Sequence, residues 1–331
     1  MDSLIAAAAG FVLVQIFSKH SGIGVSPDSV TYLSAARHMV EGKGFISFEN
    51  LPVNDFPIAY PFFLTILSFF TRLDPLQFAP VLNGILFGSL LYVSGGIMNG
   101  FRFYSGWYKR ILLCCILFSP ALQEVYSLLW SETLFLLLIL LFIVSISNYL
   151  RQLTVRWLLI SALICAFACL TRYAGVFLVL TGAGLVMFNP ELPMRRRMIH
   201  CLIFGSLSSS LFLVNIIRNY MLTGLAMGMR PKNDTGILKI MEYFGGVPGD
   251  WLLIDRRPAL AVLLTGLVLL VFSLAFLVTR RHKKSGYGFE YVIAVTGWMY
   301  CVFMLFTSTL TRYEQFTSRL LSPMFMPLLW S

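Results

Sequence analysis

Apolar positions in this chain are gathered into long blocks, and polar residues fall in short breaks between them. The blocks at 77–99, 111–128, 131–150, 199–217, 258–279 and 289–309 each reach the ~17–25 residues that a membrane-spanning helix needs. Shorter blocks at 4–18, 157–171 and 173–189 read as further segments. Only helices and closed barrels satisfy every backbone group in lipid, and no two-residue alternation runs through these blocks. The pattern predicts an all-α, polytopic transmembrane helical bundle with about 9–11 membrane segments. No Lys or Arg precedes Leu4, so the first block reads as an uncleaved helix, with a cleaved signal peptide as the alternative.

The breaks carry the remaining organisation. The apolar run from Trp157 to Phe188 is too long for one straight helix and fits two short ones, with Arg172 at the turn. Segment 58–73 is short, contains Pro61 and ends in Arg72 and Asp74, so it reads as a helix on or dipping into one face. Two loops, 19–57 and 218–257, are far longer than ordinary connections. In the first, Ser26 can cap a helix, Pro27 suits its first position, Tyr32, Leu33, Ala36 and Met39 follow at helical spacing, and Gly42 stops it. This amphipathic helix is expected on the membrane surface. The second loop predicts a short helix over 236–244, then a glycine-rich turn or lid hinge at 245–250. The last stretch, 319–331, has too few residues to cross a bilayer. It reads as the start of a truncated span, or as a re-entrant or interfacial segment. The whole of 1–331 reads as one transmembrane domain.

Composition agrees: 58% of the 331 residues are hydrophobic and 12% are charged, against roughly 45–50% and 25% in soluble domains. Mean hydropathy is +0.79. This excludes an ordinary soluble enzyme, a disordered chain and a nucleic-acid binder. The six cysteines all sit in apolar stretches, which is neither a disulfide framework nor a zinc site. The net charge of +10 changes the picture only when sorted by loop. Arg102, Lys109 and Arg110 form one short basic loop, Arg151 and Arg156 a second, and Arg195, Arg196 and Arg197 a third. Arg280, Arg281, Lys283 and Lys284 form the fourth. Short basic loops face the cytoplasm, which places both long loops on the outer side.

Charges near or inside spans are costly and mark candidate sites. On the outer side these are Asp28, Glu132, Arg172, Arg218, Arg312 and Arg319, with Asp55, Arg72, Asp74 and Glu124 behind them. Asp28 is either a base near the membrane surface or a first-turn acid that complements the helix dipole. Ser131 can cap the helix from 131, and Glu132 suits its positive end or faces a cavity where it meets a metal or a sugar hydroxyl. Arg172 either snorkels to the interface or clamps an anion, because a guanidinium pairs bidentately with phosphate. Arg218 and Arg319 beside apolar helices suit a lipid-linked phosphate or plain phospholipid headgroups. His20, His38, His200 and His282 form no ligand spacing.

The order of these features resembles the GT-C class of membrane glycosyltransferases. The resemblance is to the branch of dolichyl-phosphate-mannose–protein mannosyltransferases and bacterial aminoarabinose transferases. It rests on Ser26-Pro27-Asp28-Ser29-Val30-Thr31-Tyr32-Leu33 after the first span, Tyr60-Pro61-Phe62-Phe63-Leu64, Ser131-Glu132, Thr171-Arg172-Tyr173, Arg218-Asn219 and Arg319-Leu320-Leu321-Ser322-Pro323. The resemblance implies an integral-membrane hexosyl- or pentosyltransferase. It would move a sugar from a polyprenyl-phosphate donor to a hydroxyl of a lipid, glycan or protein acceptor. The site would lie on the outer face of a bacterial cytoplasmic membrane. Asp28 would be the catalytic base, and Arg172, Arg319 and Arg218 would hold the donor phosphate. Glu132 and Asp55 would line the cavity or hold a divalent metal, if one is used, and loop 218–257 would close over the acceptor. The competing classes are a transporter or lipid flippase, which would favour mid-span charges and broken helices, and a non-catalytic membrane assembly protein.

Overall fold

The computed structural model describes residues 1–102, 105–254, 257–281, 288–311 and 316–331. Arg312, His282, Lys283 and Lys284 lie outside the described residues, as does the side chain of Arg281. Among the described residues the chain is all-α, with only isolated bridges such as Gly24 to Leu128 in place of sheet. The helices are α1 (Asp2–Ser18), α2 (Pro27–Val40), α3 (Ala59–Thr71), α4 (Pro75–Met98), α5 (Gly106–Leu117), α6 (Pro120–Ser127) and α7 (Glu132–Gln152). They continue as α8 (Val155–Thr171), α9 (Val176–Met187), α10 (Met194–Thr223), α11 (Ile237–Trp251), α12 (Pro258–Arg281), α13 (Phe289–Leu310) and α14 (Ser318–Trp330).

Five of these, α4, α7, α10, α12 and α13, are each long and apolar enough to cross a membrane, and α5 with α6 makes a sixth candidate bent by 48°. The chain is therefore a multi-pass membrane protein. The shorter apolar helices α1, α3, α8 and α9 complete the bundle. Helix α7 is central: Phe135, Leu136, Ile139, Leu140, Phe142, Ile143 and Ile146 are all buried.

The sequence shows why α1 and α4 pack so closely. Gly84, Gly88 and Gly95 form a small-residue seam on α4, which lets two backbones approach. A Cβ at Gly88 would sit 2.8 Å from the Ala7 carbonyl oxygen, and Gly84 lies against Phe11 and Gly95 against Ser3. Backbone cannot rotate away as a side chain can. Gly88→Ala is expected to lower stability by about 1–3 kcal/mol, the usual cost of overpacking. Gly96→Ala, where an added Cβ meets nothing within 4 Å, is the control. Thermal unfolding of both variants in detergent checks this, and equal melting temperatures would rule out backbone contact as the reason for glycine.

The two ends of the bundle differ. At one, Arg110 pairs with Asp2 at 3.0 Å, Lys109 donates to Asn99 Oδ1 at 2.7 Å, the Arg102 backbone N–H donates to Glu290, and Arg151 stacks on Phe289. Loops far apart in sequence thus gather at one basic end. The opposite, loop-rich end carries 19–57 and 218–257. Helix α3 keeps both its ends there: Tyr60 packs edge-on against Tyr32, and Arg72 leads to Asp74, which Arg37 of α2 grips through two hydrogen bonds.

Three of the predicted segments take the following form. Helix α2 forms over Pro27–Val40, as its capping pattern predicts. It is packed on α3, with Tyr32, Leu33, Ala35 and Ala36 buried. The glycine-rich run 245–250 is not a hinge: it continues α11. A Cβ at Gly245 would overlap the Ala261 carbonyl, so this glycine lets α11 and α12 touch backbone to backbone. Finally, α14 packs against α6, α7 and α13, from Arg319 at the loop-rich end to Trp330, whose ring lies on Phe101 near the basic end. Leu321, Ser322, Met324, Met326 and Pro327 are buried on the way.

Candidate functional site

The site is built where α2, α7, α8 and α14 meet. Ser26 caps α2 by accepting from the Ser29 backbone N–H, and the Ser29 hydroxyl accepts from the Ser26 N–H. That reciprocal cap, with Pro27 in the first turn, fixes the helix start as the sequence predicts. The indole N–H of Trp130 donates to Ser26 Oγ at 2.7 Å, so the cap is tied to the strand of chain entering α7. That strand is pinned in turn. Gly24 exchanges backbone hydrogen bonds with Ser127 and Leu129, and the buried Asn83 amide donates to the carbonyls of Tyr126 and Leu128.

Four charged side chains converge on this frame. Arg319 donates to Asp28 Oδ2 at 2.6 Å and grips both oxygens of Glu132. Arg172, from the turn after α8, donates to Glu132 Oε1 at 2.6 Å and to Ser131 Oγ at 3.1 Å. Glu132 is the hub and is 1% exposed, while Arg172 and Arg319 keep 18% and 17% exposure and Asp28 keeps 29%. The hub is therefore sealed and the rim reaches solvent. Two carboxylates face two guanidiniums, so the formal charge of the cluster is zero. A buried carboxylate this far from water persists only with such partners.

Uncharged groups complete the cluster. The Ser131 hydroxyl does not cap α7, contrary to expectation. It is taken by Arg172, by Glu132 Oε2 at 3.3 Å and by the Tyr32 hydroxyl at 3.2 Å. Burial, reinforced by the Glu132 charge, pushes the Tyr32 phenol well above its usual pKa, so it stays protonated. The Arg319 guanidinium is held between the Glu132 and Asp28 carboxylates. The Arg319 guanidinium also stacks 4.2 Å from the Trp130 ring, a cation–π contact.

The other two predicted residues go elsewhere. Arg218 donates to the carbonyls of Val53 and Phe45 and to Asn219 Oδ1, and it lies 4.9 Å over the Phe45 ring. It holds loop 19–57 onto α10. Asp55 sits against the backbone of Gly228, and its own carbonyl accepts from Arg230. These belong to a second network, in which the Tyr173 hydroxyl donates to the Asn54 carbonyl and accepts from Asn219. The two networks adjoin through the peptide that joins Arg172 to Tyr173. Tyr32, Trp130, Ser131 and Ser26 were not singled out as site residues from sequence. The Trp130-Ser131-Glu132 run beside a capped helix is the signal that could have found them.

A resident divalent cation does not fit these residues. Asp28 Oδ2 and both Glu132 oxygens are already held by guanidinium groups, and Asp55 lies in the other network. Among the described residues no group of three His, Cys, Asp or Glu side chains comes together.

Comparison of the chain with family models, with curated proteins and with solved structures gave no match.

Proposed function

We propose that this protein is an integral-membrane glycosyltransferase. It moves a sugar from a polyprenyl-phosphate donor to an acceptor hydroxyl at the loop-rich end. The observation that carries this reading is the pairing of Asp28 with Arg319 at 2.6 Å, beside Arg172, through a shared buried glutamate. A base and two guanidiniums in one cluster are what displacement of a lipid phosphate needs. The likeness of the chain to GT-C enzymes in the order of its motifs supports the same assignment. The basic end suits the cytoplasm by the positive-inside rule, which puts the site on the outer face.

In this mechanism Asp28 accepts the proton of the acceptor hydroxyl through Oδ1, the oxygen that Arg319 leaves open. The hydroxyl oxygen bonds to the anomeric carbon as the bond from that carbon to the phosphate oxygen breaks. The electron pair leaves with the phosphate, and configuration at the carbon inverts. Among the described residues Arg172 engages acceptors only through Nη1, so its Nε and Nη2 edge is available to the departing phosphate. Charge that develops there is stabilised by donors already in place. Glu132 orients both arginines, and no step is assigned to a metal.

The test is turnover of radiolabelled polyprenyl-phosphate sugars by the purified chain in lipid vesicles, read as release of lipid phosphate with gain of label by an acceptor. Arg172→Ala is expected to raise the KM for donor about tenfold, since a charge-assisted hydrogen bond contributes about 1.5–3 kcal/mol and ~1.4 kcal/mol is a factor of ten. An unaltered donor dependence would remove Arg172 from the phosphate site. Failure of every donor tried would count against transfer and favour a non-catalytic tie between helices.

A further inference from the structure

A cavity of about 560 Å³ opens between α9, α12 and α13, away from the ion cluster. Leu185 and Phe188 of α9, Phe276 and Leu277 of α12, and Val295 and Trp298 of α13 give it apolar walls. Among the described residues its charged lining residue is Arg280, near the end of α12. The Arg280 guanidinium lies 5.9 Å from the Phe276 ring, and Phe276 packs on Tyr291 of α13. Tyr291 stands two residues from Phe289, on which Arg151 stacks, so Arg280 belongs to the basic end. The glycines of α9 show that this space is real. Gly182 is filled by the Phe204 ring, whereas a Cβ at Gly184, which lines the cavity, meets nothing within 4 Å.

We propose that this groove is a binding site for an anionic phospholipid, with an acyl chain between α9, α12 and α13 and the headgroup phosphate on Arg280. The argument is one of complementarity. The groove is apolar along its length and has a cation at the end where the basic loops gather. Basic pockets between membrane helices suit anionic headgroups. A zwitterionic lipid offers the same phosphate but brings its own cation beside Arg280, which weakens the pairing. The site is independent of the proposed transferase activity, because it shares no residue with the Asp28 cluster.

The experiment is native mass spectrometry of the full chain in detergent, titrated with phosphatidylglycerol or phosphatidylcholine. One phosphatidylglycerol is expected to be retained about tenfold more tightly than phosphatidylcholine, the factor that one charge-assisted contact supplies. Gly184→Leu, which projects a side chain into the groove from a position whose added Cβ meets nothing within 4 Å, should abolish that retention. Arg280→Gln, a change at an exposed residue that removes the cation over Phe276, should erase the preference for the anionic lipid. Arg196→Gln, a basic residue outside the groove, should change neither. Equal retention of the two lipids would overturn the proposal. So would undiminished phosphatidylglycerol binding by Gly184→Leu, or an equal loss in Arg196→Gln.

Discussion

In the Asp28→Asn variant, the proposed sugar transfer is expected to fall by at least ~10²-fold, the lower end of what a positioned general base supplies. Asn has the same outline as Asp, and its amide oxygen can still accept from Arg319, as Asp28 Oδ2 does now. Helix α2 keeps its start, because the cap is made by Ser26 and Ser29 rather than by residue 28. What the variant lacks is a group that can take a proton. Expression, membrane insertion and melting temperature should therefore stay close to wild type while turnover is lost. A variant that transfers sugar at the wild-type rate would end the assignment of Asp28 as base. A variant that unfolds would show instead that the Asp28–Arg319 pair is mainly a structural tie.

The second large effect is on stability. Glu132→Leu should destabilise the fold by about 3 kcal/mol, the low end for a broken buried pair, because it strands two partly buried guanidiniums beside one remaining carboxylate. The shape change is modest, so the expected cost is that of uncompensated charge. This carries a further expectation that simple loss of a contact would not. Glu132→Leu with Arg172→Leu restores neutrality, leaving Arg319 with Asp28. The double variant should be more stable than the Glu132→Leu single variant, which is non-additivity of the kind that a shared network produces. Thermal unfolding of both variants in detergent measures it. A Glu132→Leu protein that melts like wild type would show that the hub does not hold these helices together.

The sequence was informative where one residue type sufficed. Apolar blocks located the long helices within a few residues. Ser26 and Pro27 located the start of α2, and Arg172 located the turn between α8 and α9. Scarcity of charge singled out Asp28, Glu132, Arg172 and Arg319, and the fold brings these four together. It could not show that they neutralise one another, since pairing depends on how α2, α7, α8 and α14 are arranged. Nor could it separate Arg218 from them. An arginine at the end of a helix looks the same in sequence whether it faces a ligand or the carbonyls of Val53 and Phe45. The place of α14 stayed open between a truncated span and a re-entrant or interfacial segment, because thirteen residues rise only about 20 Å; its packing on α6, α7 and α13 is visible only in the fold. Gly245 misled: in a loop glycine suggests freedom, but here it marks contact with α12.

The bond between Glu132 and Arg319 also sets an order in time. Glu132 leaves the ribosome 187 residues before its partner. At about 5–20 residues per second this interval is on the order of 10–40 s. Once Arg172 has followed, Glu132 can meet it but not Arg319, and Asp28 at the head of α2 lacks its Arg319 partner. The cluster closes only when α14 slides into the bundle. Until then a nascent chain holds the parts of its site without their final geometry, and any chemistry there begins only after the membrane domain has been assembled.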